Sequence, residues 1–216
     1  MKKILKQFIF KCYKIVNRFP FNNSLRTRKT VIDNQGALLY KCKIKSYGKN
    51  TIVFHKGGIL RNTTICIRGN NNVVEIGKDT SINQGDIYIE DDNNCVVIGD
   101  RTNLCGKIHL ACTEGRKIKI GNDCLCSSDI VLRTGDSHSV LDMSGNRINQ
   151  AADVEVGNRV WIGYRVLINK GVVIPENTII GTGAVVTKSF TESNTVLAGV
   201  PAKVVKRNVN WCKERL

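Results

Sequence analysis

Residues 156–190 read VGNRVWIGYRVLINKGVVIPENTIIGTGAVVTKSF, and an aliphatic side chain returns at every sixth position: Val156, Ile162, Ile168, Ile174, Ile180 and Val186. Four residues after each stands Val160, Val166, Val172, Thr178, Ala184 or Phe190, mostly small or β-branched. A helix would bring apolar residues back after three and four positions, and a lone strand after two. A six-residue step requires a shape with a corner every six residues. A triangular coil supplies it, because three steps close one turn and successive turns pair as parallel strands about 4.8 Å apart. Both repeated positions then point into a narrow prism, which explains the preference for Ile, Val, Thr and Ala.

Upstream, VVEIGKDT, CVVIGDRT and IKIGNDC carry the same phase, with marks at Ile76, Ile98 and Ile120. These marks fall 22 apart rather than 18, so each turn is expected to carry about four extra residues at a corner. GNNN (69–72), EDDNN (90–94) and TEGRK (113–117) are polar, turn-prone candidates for it. The 36 residues from Ile120 to Val156 read as two turns, one of them shortened to make room for an insertion. Tyr40–Asn72 reads as a frayed start, with Ile52, Ile59 and Ile65 at loose spacing. The coil is therefore expected over residues 41–200, clearest from Val73 to Val200, with a basic tail at 201–216 in which Pro201 suits the first turn of a short helix.

Composition agrees with a soluble all-β chain. Of 216 residues, 42% are hydrophobic and 24% charged, with only 3 prolines. The 33 basic against 18 acidic residues give a net charge of +15, which favours anionic partners. Nucleic acid is not expected, since no zinc finger, helix-turn-helix or interleaved aromatic pattern occurs. Nine cysteines, an odd number without any CxxC pair, read as reduced, mostly core-facing thiols rather than a disulfide framework or zinc site.

The first forty residues form a separate basic segment. Ile4, Phe8, Cys12, Ile15 and Phe19 fall along one helical face and Lys3, Lys6, Lys14 and Arg18 toward the other, with Pro20 as a stop. Lysines interrupt the apolar run too early for an export signal, so a cytoplasmic protein is expected. Two readings of this helix stay open: packing on protein, or peripheral association with the anionic inner membrane face.

Between Leu132 and Asp153 the repeat is broken by RTGDSHSVLDMSGNRINQAA, a projecting loop over residues 133–152. Long loops in compact domains are usually functional or disordered. This one holds His138, with Asp136 before it and Asp142 after it. An imidazole with a pKa near 6.5 suits proton removal from a hydroxyl at neutral pH.

The string from Val156 to Phe190, with VLAGVPAKVVKRN after it, resembles the hexapeptide-repeat acyltransferase superfamily, and within it the polysaccharide and polysialic acid O-acetyltransferases. Trp161 in VWIG, Thr187–Lys188 in VVTK, and AGVPAK carry the likeness, which spans residues 120–210 most clearly. It implies an all-β, left-handed parallel β-helix and acetyl transfer from acetyl-CoA to a sugar hydroxyl, with a glycan as the acceptor and no metal. It also implies a homotrimer with active sites between subunits.

By family position the catalytic residues are His138 as general base and Trp161, whose indole N–H or a backbone N–H would meet the oxyanion. Gly163, Tyr164 and Thr182 would line the pantetheine arm. Thr187, Lys188, Lys203 and Lys206 would meet the nucleotide end. Tyr164 stands where a small residue is common, and Lys203 where some members have arginine. The basic charge, part of which CoA itself accounts for, tilts the acceptor toward an acidic polysaccharide. A free, nucleotide or amino sugar is the enzymatic alternative, and a non-catalytic solenoid scaffold the other class.

Overall fold

The computed structural model describes residues 22–214, so the expected N-terminal helix lies outside the described residues. Within them the chain is a parallel β-solenoid of triangular section with three ladders. The first face begins with Ser24–Arg28, Lys43–Tyr47 and Thr64–Arg68 and ends with Ile130–Arg133, Leu167–Ile168 and Val185–Val186. The second face stacks Val31–Asn34, Thr51–Phe54, Val73–Ile76, Cys95–Ile98, Lys117–Ile120, Val154–Val156 and Val173–Ile174, which defines seven turns. The third face runs from Leu38–Tyr40 through Trp161–Ile162 to Val196–Gly199. Ser81–Ile89 and Asn103–Cys112 bend around the corner between third and first faces, which joins those two ladders into one sheet.

The six-residue frame places the core as expected. Val156, Ile162, Ile168, Ile174, Ile180 and Val186 are all buried, as are Val160, Val166, Val172, Thr178 and Ala184. From Thr51 to Ile120 the turns are 22 residues long, and the register places the extra length at the corner from first to second face. Leu132 pairs Leu110, and Ile168 pairs Leu132. From Ile168 to the buried Ile174 is one six-residue step, whereas Leu110 to Ile120 takes ten. At this corner Asn50, Asn72 and Asn94 form a buried ladder: the backbone N–H groups of Asn72 and Asn94 donate to the side-chain Oδ1 of the asparagine one turn above at 2.9 and 2.8 Å. The long turns thus satisfy the buried backbone groups of their wider corner with side-chain amides.

Three expectations need correction. Ile120 and Val156 are direct partners on adjacent strands, so the 36 residues between them are one 18-residue turn carrying an 18-residue excursion. No edge is shortened. The start is also not frayed: Ser24–Arg28 already pairs with Lys43–Tyr47 in register, and Ile52 and Ile65 are buried while Leu60, not Ile59, takes the interior position. The expected C-terminal helix is absent at Pro201, because Ala202–Lys206 is a strand antiparallel to Val196–Gly199. Proline, lacking an N–H, fits a tight turn as well as a helix start.

Burial pushes the Cys112 and Cys124 thiols up to about 11 and raises Cys126 well above its ordinary value, and all eight described cysteines are free. No described helix is long and apolar enough to cross a membrane.

Candidate active site at the projecting loop

The loop leaves the end of Ile130–Arg133 and returns at Val154–Val156, at the corner where the turns above carry their extra residues. Its tip is a small hairpin. Leu141 bridges Arg147, and Asp142 accepts from the amides of Ser144 and Asn146 at 2.9 and 2.8 Å. Two charged contacts bind it to the prism. Arg147 clamps Glu114 of the turn above through both terminal nitrogens, at 3.0 and 2.6 Å. Lys170 of the turn below meets Asp136 and donates to the Asn149 carbonyl at 2.9 Å.

Asn149 closes this network. Its amide nitrogen donates to Asp136 at 2.9 Å and to the His138 carbonyl at 2.8 Å, while its oxygen accepts from the Val140 amide at 2.8 Å. The Lys170 and Asn149 donors hold the Asp136 carboxyl below the usual range, and the Arg147 guanidinium does the same for Glu114. Asp136 therefore anchors the loop and does not orient the histidine. The His138 side chain is exposed and, among the described residues, forms no hydrogen bond. A backbone carbonyl tied down beside a free imidazole fixes where the residue stands while leaving both ring nitrogens open to solvent.

The other expected residues sit elsewhere on the prism. Trp161 opens the third face, a whole face away from the loop's root, and is 40% exposed. Its ring packs against Trp211, with centroids 6.1 Å apart. Trp211 is itself held by its indole N–H donating to the Arg159 carbonyl at 2.8 Å, and Lys213 beyond it donates to the Arg101 carbonyl at 3.1 Å. The C-terminal segment thus folds back along the corner between second and third faces. Sequence reasoning passed over Trp211, although a second tryptophan in a short basic tail was the available signal.

Tyr164 and Thr182 occupy successive turns of the corner between third and first faces, where the Gly183 amide donates to the Tyr164 carbonyl at 2.7 Å. Tyr164 is exposed, with the Arg165 guanidinium 5.0 Å above its ring. Gly163 is buried, and a Cβ there would lie 2.8 Å from both the Ile180 oxygen and the Thr182 nitrogen. Its glycine lets two turns approach closely. Thr187 precedes Lys188, which shares a cleft of about 350 Å³ with Lys203 at the lower end of the coil. Lys206 is not among that cleft's lining and pairs Val196 at the end of its strand.

His109 meets the Asp86 carboxylate through Nδ1 at 2.8 Å on the first face, and His55 meets Gln35 and Glu75 at the far end. Among the described residues no group of three metal-binding side chains is gathered.

A triangular hexapeptide coil with a histidine loop at one corner and a lysine-lined cleft at its lower end defines a hexapeptide-repeat acetyltransferase. The chain is 36% identical over 183 residues to the polysialic acid O-acetyltransferase of Neisseria meningitidis, covering 75% of this chain and 85% of that one. It belongs to the family of hexapeptide-repeat O-acetyltransferases that includes the polysialic acid enzymes. It is also 36% identical over 141 residues to the polysialic acid O-acetyltransferase of Escherichia coli O1:K1, spanning 65% of this chain but only 45% of that protein's length. Among solved structures, the polySia-specific acetyltransferase NeuO superposes with a TM-score of 0.81 at 32% identity over 89% of this chain and 90% of that one. The polysialic acid O-acetyltransferase OatWY gives 0.69 at 30% identity, over 90% and 89%. The expected left-handed coil is the fold they share. No protein-family model matches the chain.

Proposed function

We propose that this chain transfers the acetyl group of acetyl-CoA to a hydroxyl of an anionic capsular or cell-surface polysaccharide, with His138 as general base. The observation that carries the reading is the exposed, unbonded His138 imidazole on a loop pinned by two ion pairs. The names of the relatives support the acceptor class, and the charge of +15 suits it.

The imidazole takes the proton from the sugar hydroxyl as its oxygen attacks the acetyl carbonyl carbon. The tetrahedral oxyanion is met by the Trp161 indole N–H or a backbone N–H, and as the C–S bond breaks the CoA thiolate receives the proton from the imidazolium. Tyr164 and Thr182, with the close-packed Gly163 beside them, line the pantetheine arm. Thr187, Lys188, Lys203 and Lys206 serve the phosphates, with Lys188 and Lys203 sharing one cleft.

His138 and Trp161 stand a face apart within one protomer, so a site built from both requires a second copy, in keeping with a homotrimer and sites between subunits. We place the enzyme in the cytoplasm, with peripheral contact of the basic N-terminal segment at the inner membrane face.

The test is incubation with acetyl-CoA and a panel of anionic capsular glycans, following thiol release and ester formation. Transfer to at least one glycan is expected. No release with any glycan, together with no CoA binding by calorimetry, overturns the reading in favour of a scaffold.

A further inference from the structure

The cations of the first two rungs are arranged differently from several others along the coil. Arg147 and Lys170 at the loop, Arg101 and Arg207 elsewhere, and Arg68 on the third rung at 3.9 Å from Glu90 each face a carboxylate. Arg26, Arg28, Lys43 and Lys45 project outward from the first two rungs of the first face, are exposed, and form no ion pair among the described residues. The register stacks Arg26 on Lys45 and Arg28 on Tyr47 and Arg68. Rung spacing sets neighbours about 4.8 Å apart along the axis, and alternate residues about 7 Å apart along a strand. Like charges this close raise the cost of folding unless an anion lies over them. Around the adjoining corner a cleft of about 710 Å³ is lined by Asn22, Asn23, Ser24, Lys41, Lys43 and Thr64, polar groups suited to sugar hydroxyls and carboxylates.

The same ladder position continues down the face through uncharged side chains to one further cation. Lys45 pairs Cys66, Cys66 pairs Tyr88, Tyr88 pairs Ala111, and Ala111 pairs Arg133 at the root of the catalytic loop. From Lys45 to Arg133 is four rungs, about 19 Å. Arg133 donates to the Ser137 hydroxyl at 3.0 Å, next to His138.

Resting on the acceptor reading above, we propose that the first face of the upper turns is a second binding site. It holds one stretch of a polyanionic glycan while another stretch of the same chain reaches His138. Each exposed charge contributes little, but several act together on a polymer, and a tethered chain presents its hydroxyls at a high effective concentration. Outward positions of these rungs are Ser24, Arg26, Arg28, Lys43, Lys45 and Tyr47, four cations to one large aromatic, while the exposed Leu25 belongs to the inward set at the open end of the coil, so a glycan fits better than a lipid surface.

The test is the triple variant R26Q/K43Q/K45Q in the full chain, assayed with long polysialic acid and with a short oligomer of the same sugar. The expected result is a KM for the long acceptor raised about tenfold with kcat unchanged, and no change for the oligomer. Salt should raise the wild-type KM for the long acceptor more steeply than the variant's. Equal effects on both acceptors, or none on the long one, overturn the proposal. Binding of labelled long polysialic acid without acetyl-CoA separates this site from the transfer reaction: a variant that binds as tightly as wild type overturns it even if transfer fails. So does a variant that loses binding only to phosphatidylserine vesicles.

Discussion

Ile120 and Val156, thirty-six residues apart in the chain, face each other as partners on adjacent strands of one ladder. The excursion that interrupts the repeat is enclosed between them. The chain leaves one corner, builds the hairpin that carries His138, and returns to the next rung without disturbing the register of either neighbour.

Replacing His138 with alanine should lower acetyl transfer at least about a hundredfold, the usual worth of a general base. Because the side chain is exposed and unbonded, thermal stability and CoA binding should stay at wild-type values. Steady-state kinetics beside a melting curve checks both, and near-normal turnover would remove His138 from the mechanism.

Acid should loosen the loop before it unfolds the coil. Asp136 and Glu114 are held below the ordinary carboxylate range by Lys170 and Arg147. Their contribution is therefore full above the unfolded-state values and is lost as pH falls through the lower folded ones. Hydrogen-exchange protection of the loop amides, corrected for intrinsic rate, is expected to be flat from pH 5 to 8 and to fall below about pH 4. Lys170→Ala should expose the loop already at neutral pH and lower kcat with little change in the KM for acetyl-CoA.

Gly121→Ala should be among the most destabilising small substitutions in the chain. A Cβ there would lie 2.6 Å from the carbonyl carbon and oxygen of Gly157 and 2.7 Å from the Asn158 nitrogen, all backbone atoms of the next turn. Overpacking against backbone costs about 1–3 kcal/mol or more. Chemical denaturation read by circular dichroism gives the number; a loss under about 0.5 kcal/mol would mean that the turns separate freely.

Asn94→Ala tests the wide corner. The Asn94 oxygen accepts from the Arg116 amide at 3.0 Å, and its nitrogen donates to the Glu90 carbonyl at 2.8 Å. Alanine strands both groups at about 1–3 kcal/mol for each that water cannot reach. Aspartate should rescue little, because it can accept from Arg116 but cannot donate to Glu90.

Lys188→Ala with Lys203→Ala removes two cations from the lower cleft. The KM for acetyl-CoA should rise about tenfold while that for pantetheine-length thioester donors, which lack the nucleotide, stays unchanged. An equal rise for both donors would place the nucleotide elsewhere.

The location of the projecting loop was legible because a strict period makes any interruption visible. Its attachment was not. The count of 36 divides evenly into two turns, and only the pairing of Ile120 with Val156 shows that it is one turn and an excursion. Asp136 shows the same limit. Two positions before a histidine it is a natural orienting group, yet the fold brings Lys170, 34 residues away, into its reach, and the carboxylate goes to the full positive charge.

The sequence by itself determined the coil, its core and the residues facing inward, because a six-residue period is a local property that each turn repeats. It also singled out His138, Trp161 and the lysines as the residues with chemistry to offer. Only the tertiary structure decided where on the triangle each one stands: His138 at one corner, Trp161 a face away against Trp211, Tyr164 above Thr182 at a third. Corner position depends on the summed lengths of all the turns and on pairings 17 to 36 residues apart, which no short stretch of sequence encodes.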